Sequence, residues 1–157
     1  MFQVPLVKLL SHFTRLSRSK SESILPVPST TEASGSSATD TGRPVSIESR
    51  LPIGLYDLAH VSGDIVFRAG RAGETYKGIG KYDLNLEGLP VFCDAIGPHG
   101  SPTSDSERTM VTSETKKVLA VIISFGGKEG LDRWTQRMSE LFSQHASGSS
   151  CETQIIS

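Results

Sequence analysis

The segment between residues 103 and 115 concentrates the side chains of this sequence that are best suited to polar recognition. It reads T-S-D-S-E-R-T-M-V-T-S-E-T, so hydroxyls and acids surround a single arginine, Arg108. One interpretation is a polar wall that presents donors to a ligand, with the planar guanidinium of Arg108 as the fork for a carboxylate or phosphate. The alternative is a loop whose Ser, Thr and Asp side chains satisfy its own backbone, with Arg108 paired to Glu107 or Glu114. Spacing alone favours the loop.

Other residues that could do chemistry form weaker patterns. The run G-I-G-K at residues 78–81 resembles a phosphate loop, but it lacks the full spacing and no helical pattern follows, which indicates turn glycines. Asp57, His60 and Asp64 are a candidate acid–base set, although His60 fits equally well on the surface. No catalytic triad can be assembled, so the catalytic residues are unknown. The 4 His are scattered, and we expect neither a metal nor a cofactor.

The elements that must position these residues are short strands and one helix. Residues 118–125 (VLAVIISF) are apolar and β-branched, which predicts a central strand buried on both faces. Residues 64–68 and 90–93 predict further strands, whereas residues 94–106 predict a long loop with an exposed His99. Apolar side chains at helical spacing predict an amphipathic helix over residues 129–144. The predicted fold class is α+β: a mixed sheet of short strands with one C-terminal amphipathic helix.

Composition divides the 157 residues into three parts. The first 45 residues are predicted to be disordered, because their Ser- and Thr-rich stretch cannot bury enough apolar surface to offset its ordering entropy. The first 20 residues combine an apolar helical face with basic residues and no acid, which is typical of a mitochondrial targeting segment or of a chance amphipathic stretch. Residues 46–146 form the predicted domain, and residues 147–157 a flexible tail.

Charge, hydropathy and cysteine usage exclude several classes of protein. There are 16 Lys and Arg against 17 Asp and Glu, which is no signature of a nucleic-acid coat. No run approaches the roughly 18 apolar residues of a membrane helix, so we expect no membrane partner. The 2 cysteines form no disulfide framework, and Cys93 is interpreted as a small buried apolar residue. We therefore expect an intracellular, cytoplasmic protein, with mitochondrial import as the alternative.

Several motifs follow one another in order between about residues 45 and 125. They are L-P-I-G-L-Y-D-L from Leu51, G-D-I-V-F-R from Gly63 with G-E from Gly73, S-E-R-T from Ser106 and T-x-E-T-K-K-V-L from Thr112. They resemble the B3/B4 domain of the phenylalanine–tRNA ligase beta subunit, and more closely free-standing B3/B4-domain proteins. The resemblance implies a tRNA-related role, because in the ligase this domain holds the editing pocket that hydrolyses tRNA carrying the wrong amino acid. No segment resembles an ATP-binding ligase core.

Three departures separate this chain from the family pattern. The half of the domain expected before Leu51 is replaced by the Ser- and Thr-rich tract, which suggests an N-terminally truncated domain. Gly54 stands where ligases commonly have the histidine of P-L-H-A-F-D-L. Val121 stands where they have the acid of N-V-L-L-E. The two polar side chains most associated with the editing pocket are therefore absent.

Three hypotheses about function follow. The first is an RNA-binding module with editing-type recognition of aminoacyl-tRNA, whose candidate contacts are Arg108, Thr109, Thr112, Thr115, Lys116 and Lys117. The second is a non-catalytic module for a small amino-acid-like ligand or a protein partner, and the third is a truncated relic without function. Residues 46–145 contain 11 Lys and Arg against 13 Asp and Glu, so we expect any tRNA binding to be weak. Whether the chain is an enzyme, and its oligomeric state, stay open.

Overall fold

A computed structural model describes residues 6–12, 37–145 and 151–156 of the chain. Within these ranges there are two α-helices and two short 3-10 turns, at Leu58–His60 and Glu107–Thr109. In chain order the strands and helices are β1 (Leu6–His12), α1 (Ser37–Ser49), β2 (Ile53–Asp57), β3 (Val66–Ala69), β4 (Thr75–Lys77), β5 (Asp83–Asn85), β6 (Pro90–Cys93), β7 (Pro98–Ser101), β8 (Ser104–Asp105), β9 (Lys117–Ile123), α2 (Leu131–His145) and β10 (Cys151–Ile156).

The central strand of the fold is β9, as the apolar run predicted. It lies inside a four-stranded antiparallel sheet of order β10-β1-β9-β2, and its side chains from Val118 to Ile123 are all buried. Because successive side chains of a strand point to opposite faces, both faces of this sheet must be covered. One face carries the two helices and the other carries a second sheet.

The helix-covered face contains the larger apolar core. Val118, Ala120 and Ile122 pack there against Leu131, Met138, Leu141 and Phe142 of α2, and Val45 of α1 joins them. The apolar stripe of α2 therefore faces the sheet, and the prediction of a C-terminal amphipathic helix is confirmed. Helix α1 adds a second helix, which the sequence analysis did not predict.

The opposite face of β9 packs against a second sheet. Leu119, Val121 and Ile123 form a cluster there with Tyr56 of β2 and Phe92 of β6. Strands β3, β6, β7 and β8 form this second sheet in that order, and β4 and β5 form a separate hairpin. The α+β class is confirmed, with short antiparallel strands distributed over three sheets.

The structure corrects three of the predicted boundaries. Helix α1 begins at Ser37, inside the stretch predicted to be disordered up to residue 45, because Val45 is fully buried and tertiary packing outweighs the poor helix propensity of this segment. Strand β10 lies inside the predicted flexible tail. Residues 6–12 form a strand between β9 and β10, in place of the helical face assigned to the N-terminal segment. The rest of the predicted N-terminal disorder, residues 1–5 and 13–36, lies outside the described residues.

The predicted loop over residues 94–106 is also more ordered than expected. It contains β7 and β8, which pair with each other and continue the second sheet from β6. Of the prolines and glycines that suggested a loop, Pro98 begins β7 and Gly97 and Pro102 lie in turns, while Gly100 lies inside β7 and pairs on both sides, so they do not prevent pairing. None of the helices described here has the length and apolarity needed to cross a membrane.

Candidate functional site

The six residues predicted to contact a ligand follow β8 and lead into β9. Arg108 and Thr109 lie on the 3-10 turn after β8, Thr112 and Thr115 lie in the connection that follows, and Lys116 and Lys117 lead into β9. The segment is compact, but its side chains point to different partners.

Arg108 forms a two-bonded ion pair with Asp94. Its Nη1 donates to Asp94 Oδ2 at 2.9 Å and its Nη2 donates to Asp94 Oδ1 at 3.0 Å. The same guanidinium also donates to the carbonyl oxygens of His60, at 2.8 Å, and Gly97, at 3.3 Å. The partner is therefore neither Glu107, which pairs with Lys77, nor Glu114. Most of the donors of Arg108 are already used inside the protein.

The Asp94 carboxylate is held as an anion by this arrangement. Its side chain is 0% exposed, and burial alone would raise its pKa. The hydrogen bonds from Arg108 and from the backbone N–H groups of Ser62, Gly97 and Ile96 outweigh burial, so the pKa of Asp94 lies well below its usual value. The pair ties the 94–97 turn to the 3-10 turn that carries Arg108.

The three threonines also make internal contacts. Thr115 is buried, donates to Asp57 Oδ2 at 2.7 Å and accepts from the backbone N–H of Thr112 at 2.9 Å. Thr109 is buried as well, and its hydroxyl donates to the carbonyl oxygen of His99 at 3.4 Å. Asp57, one member of the candidate acid–base set, therefore anchors the T-x-E-T segment to the end of β2. These hydroxyls position backbone segments.

Lys116 and Lys117 are the predicted contacts that face solvent. Both are exposed, and neither forms an ion pair with a residue that the structure describes. They are neighbours at the start of β9, where successive side chains point to opposite sides of the strand. The two ammonium groups therefore lie on opposite sides of the chain and add only one positive charge to each side.

A polar cluster that the sequence analysis missed lies between the two large sheets. It consists of Tyr56 on β2, His99 on β7 and Asp105 on β8. The Tyr56 hydroxyl donates to Asp105 Oδ1 at 3.0 Å, and the Tyr56 and His99 rings meet edge to face with centroids 4.7 Å apart. We call these three residues the polar cluster. Its ring packing extends to Phe92, whose centroid lies 5.9 Å from that of Tyr56.

Burial shifts the titration of all three members. Burial raises the pKa of Asp105 to about 7, although hydrogen bonds from Tyr56 and from the backbone N–H groups of Leu55 and Ser101 act in the opposite direction. Burial lowers the pKa of His99 to about 4. Burial, and next the charge of Asp105, raise the pKa of Tyr56 well above its usual value. Perturbed titratable groups that meet at one place are typical of functional sites, although structural clusters also show them.

His99 is the least expected member of the cluster. It was predicted to be exposed, but it is 0% exposed, and neither ring nitrogen has a hydrogen-bond partner among the described residues. The prediction is wrong because P-H-G-S forms strand β7 and directs the ring inward, between Tyr56 and Phe92. A buried polar group without a partner costs free energy, so such a group calls for an explanation.

Two glycines allow the Tyr56 phenol to occupy its place. A Cβ built at either Gly54 or Gly100 would overlap the Tyr56 hydroxyl. Gly54 pairs directly with Val121 across β2 and β9, and Val121 is 5% exposed. The two positions that lack polar side chains relative to the ligase motifs are therefore adjacent, and both adjoin Tyr56. Alternation along β2 places Gly54 and Tyr56 on one face, and that signal was readable in the sequence.

The remaining residues singled out in the sequence are His60, Asp64 and Cys93, and the structure brings none of them into the polar cluster. His60 is exposed, with its Nδ1 3.5 Å from Asp57 Oδ2, and Asp64 is exposed. Cys93 is buried and its pKa is raised by that burial, which agrees with its interpretation as a small apolar residue. Among the residues described, no group of three or more His, Cys, Asp or Glu could hold a metal ion.

Comparison with known proteins identifies the class to which this fold and site belong. The model of the B3/4 domain family matches residues 32–140, and the chain therefore belongs to that family. The match extends beyond the motifs at both ends and includes α1. No curated protein matches the sequence.

A solved structure shares the fold. It is an N-terminal fragment of the phenylalanyl-tRNA synthetase beta-subunit from Pyrococcus horikoshii, with a TM-score of 0.71 and 15% sequence identity. The match covers 97% of this chain and 50% of that chain, so this protein spans half the length of the structure that it resembles. At such low identity the likeness concerns the fold.

Proposed function

We propose that this chain is an RNA-binding module that recognises aminoacyl-tRNA and hydrolyses its ester bond slowly or not at all. Membership of the B3/4 domain family is the observation that carries the proposal. The solved structure with the same fold is part of a synthetase named for phenylalanyl-tRNA. In the ligase, the corresponding domain holds the pocket for mischarged tRNA, so recognition of a tRNA-linked amino acid is the function most directly inherited.

The packing around Tyr56 is the reason for expecting poor hydrolysis. Ester hydrolysis needs a water molecule held near the carbonyl and a group that accepts its proton. Gly54 has no side chain, Val121 is apolar, and the Tyr56 ring fills the space beside them. The proposed module therefore lacks a base at the two family positions. We expect it to bind aminoacyl-tRNA without hydrolysing the ester efficiently.

The ligand contacts are proposed from the accessible groups. Lys116 and Lys117 face solvent and would contact phosphates as point charges. Arg108, Thr109, Thr112 and Thr115 would act as positioning residues, since their polar atoms already bond within the protein. Asp105 is the group of the polar cluster best suited to a ligand, because it accepts from Tyr56 while the residue stays partly exposed.

A second candidate is a non-catalytic module for a small amino-acid-like ligand. Asp105 favours it, because this residue is partly exposed and its carboxyl, beside the Tyr56 ring, is a suitable partner for an ammonium group. This candidate predicts saturable binding of a free amino acid, whereas the RNA-binding proposal predicts that a free amino acid competes poorly with aminoacyl-tRNA.

The proposal is tested with the full chain and fluorescently labelled tRNA for phenylalanine, both uncharged and charged with tyrosine. We expect micromolar binding that weakens with salt, and release of tyrosine no faster than in a protein-free control. The Lys116→Ala and Lys117→Ala double variant should reduce the slope of log K against log salt by about 2, and Lys128→Ala serves as the exposed lysine control. Absence of tRNA binding would refute the proposal. Release of tyrosine faster than in the control would refute the expectation of poor hydrolysis and favour an editing activity.

A further inference from the structure

The turn between β4 and β5 exposes an aromatic ring that the rest of the fold does not use. Tyr82 is 93% exposed, and Ile79 on the same turn is 41% exposed. We call residues 78–82 the hairpin tip. It includes the G-I-G-K run, which the sequence analysis interpreted as turn glycines, and Gly80 has the positive φ of 63° that such a turn requires.

The hairpin tip is held against β8 rather than projecting freely. The Ile79 N–H donates to the carbonyl oxygen of Asp105 at 3.0 Å, and Gly78 forms an antiparallel bridge with Ser106. Behind the tip, the Tyr76 hydroxyl donates to the carbonyl oxygen of Ser104 at 2.6 Å. The backbone of the hairpin tip is therefore held by the strand that carries Asp105.

A cation lies on the same tip. Lys81 Nζ donates to Ser104 Oγ at 3.3 Å, and it forms no ion pair with any residue in the described ranges. The other lysine of this hairpin, Lys77, is paired with Glu107 at 3.0 Å. The tip thus combines an exposed aromatic ring with a lysine next to it in the chain.

We propose that the hairpin tip is a stacking site for an unpaired nucleotide, in which a base stacks on Tyr82 and Lys81 contacts the adjoining phosphate. This inference rests on the proposed function and names the part of the RNA that the module binds, a single-stranded segment. Bases stack on exposed aromatic rings in a sequence-tolerant way, and lysine contacts phosphates as a point charge.

The size of the patch favours a nucleotide over a protein partner. A stable protein interface buries about 800 Å² on each partner and contains a core of several apolar side chains. The hairpin tip offers one ring and one partly exposed isoleucine. One ring matches the face of one base, and the fixed backbone reduces the entropy lost when that base stacks.

The test measures binding of a short single-stranded RNA that contains 2-aminopurine, a base whose fluorescence falls on stacking, beside the same sequence in a duplex. We expect the wild-type chain to bind and quench the single strand and to bind the duplex more weakly. Tyr82→Ala should weaken single-strand binding by roughly tenfold and abolish quenching, whereas Tyr82→Phe retains both. Lys81→Ala should lower the salt slope by about 1, and Lys128→Ala is again the control.

The outcomes separate this inference from the proposed function. If the wild-type chain binds aminoacyl-tRNA while Tyr82→Ala binds it and quenches 2-aminopurine equally well, the stacking site is refuted and the proposed function stands. If the wild-type chain binds neither aminoacyl-tRNA nor the single strand, the proposed function fails as well. Because Tyr82 is almost fully exposed, its substitutions should leave the thermal midpoint unchanged, and that measurement excludes loss of folding as the cause.

Discussion

Replacement of Asp105 by asparagine should change how the stability of this protein depends on pH. Asp105 has a folded-state pKa of about 7, against an ordinary value of 3.8. Between these pH values the folded state retains a proton that the unfolded state has released. The wild-type chain therefore loses stability as pH rises through this window, and Asp105→Asn, which carries no titrating carboxyl, does not.

The size of the effect follows from the difference between the folded and unfolded pKa values of Asp105. A tenfold change in proton affinity corresponds to about 1.4 kcal/mol. The free energy of unfolding of Asp105→Asn relative to wild type should therefore rise by about 3 kcal/mol between pH 4 and pH 7. His99 produces the opposite dependence in both proteins. Its pKa falls from 6.5 to about 4 on folding, so its contribution is present above pH 6.5 and is lost as pH falls. Subtracting the two curves removes the histidine contribution.

The assay is urea unfolding at half-unit steps from pH 4 to pH 7.5, followed through the fluorescence of the single tryptophan, Trp134. Asp64→Asn, which replaces an exposed aspartate, is the matched control for the loss of one carboxylate. A difference curve that is flat would show that the Asp105 carboxyl is not desolvated on folding. A difference curve that falls with pH would show that Asp105 is stabilised as an anion, and would refute the assignment of burial as the dominant cause.

Three further predictions concern the stability of the fold. Arg108→Ala should lower the free energy of unfolding by about 3 kcal/mol, because it leaves the buried Asp94 carboxylate without its partner. The control Lys77→Ala breaks an exposed ion pair and should cost less than about 1 kcal/mol in the same urea titration. An unchanged midpoint together with lost tRNA binding would return Arg108 to the role of a ligand contact. Gly54→Ala should lower the free energy of unfolding by about 1–3 kcal/mol, because the added Cβ overlaps the Tyr56 ring. Gly126→Ala has open space around it and should be nearly neutral. Equal thermal midpoints for the two variants would contradict the packing described. Ile122→Asp should be unfolded by circular dichroism, because a charge buried in the centre of β9 costs several kcal/mol. The control Ile122→Val should remain folded. A folded Ile122→Asp variant would show that β9 is not central.

The parts of the fold that were predictable are those with strong local patterns. Strand β6 lies at the predicted residues, and β9 and α2 lie within two residues of theirs. The helix has an apolar stripe of helical period, and the two strands are short apolar runs rich in β-branched or aromatic residues. Strands β1 and β10 were missed because they are stabilised by pairing with distant segments of the chain. Leu6 of β1 pairs with Ile156 of β10, at the opposite end of the described chain. No local pattern reports such a pairing. Helix α1 was missed for a related reason, since burial of Val45 outweighs a sequence that contains glycine and proline.

The candidate site was less predictable than the fold. Spacing suggested that Arg108 pairs with a nearby acid, and the acid it meets, Asp94, is 14 residues away along the chain. The hydrogen bond between Tyr56 and Asp105 spans 49 residues, so neither partner signals the other in the sequence. The direction in which the side chains of the motif segments point depends on how three sheets pack, and no local pattern reports it.

Strand β1 lies between β9 and β10, and this arrangement sets the order in which the protein can fold during synthesis. The residues of β1 leave the ribosome before those of any other described element, yet their first partner, β9, begins at Lys117. Strand β10, their second partner, is synthesised after every other described element. Until Ile156 has emerged, one side of β1 has no neighbour and its backbone hydrogen-bonding groups stay open to other chains. Formation of this sheet therefore waits until β10 has been synthesised, and a nascent chain that binds a chaperone before then would be protected at the edge of β1.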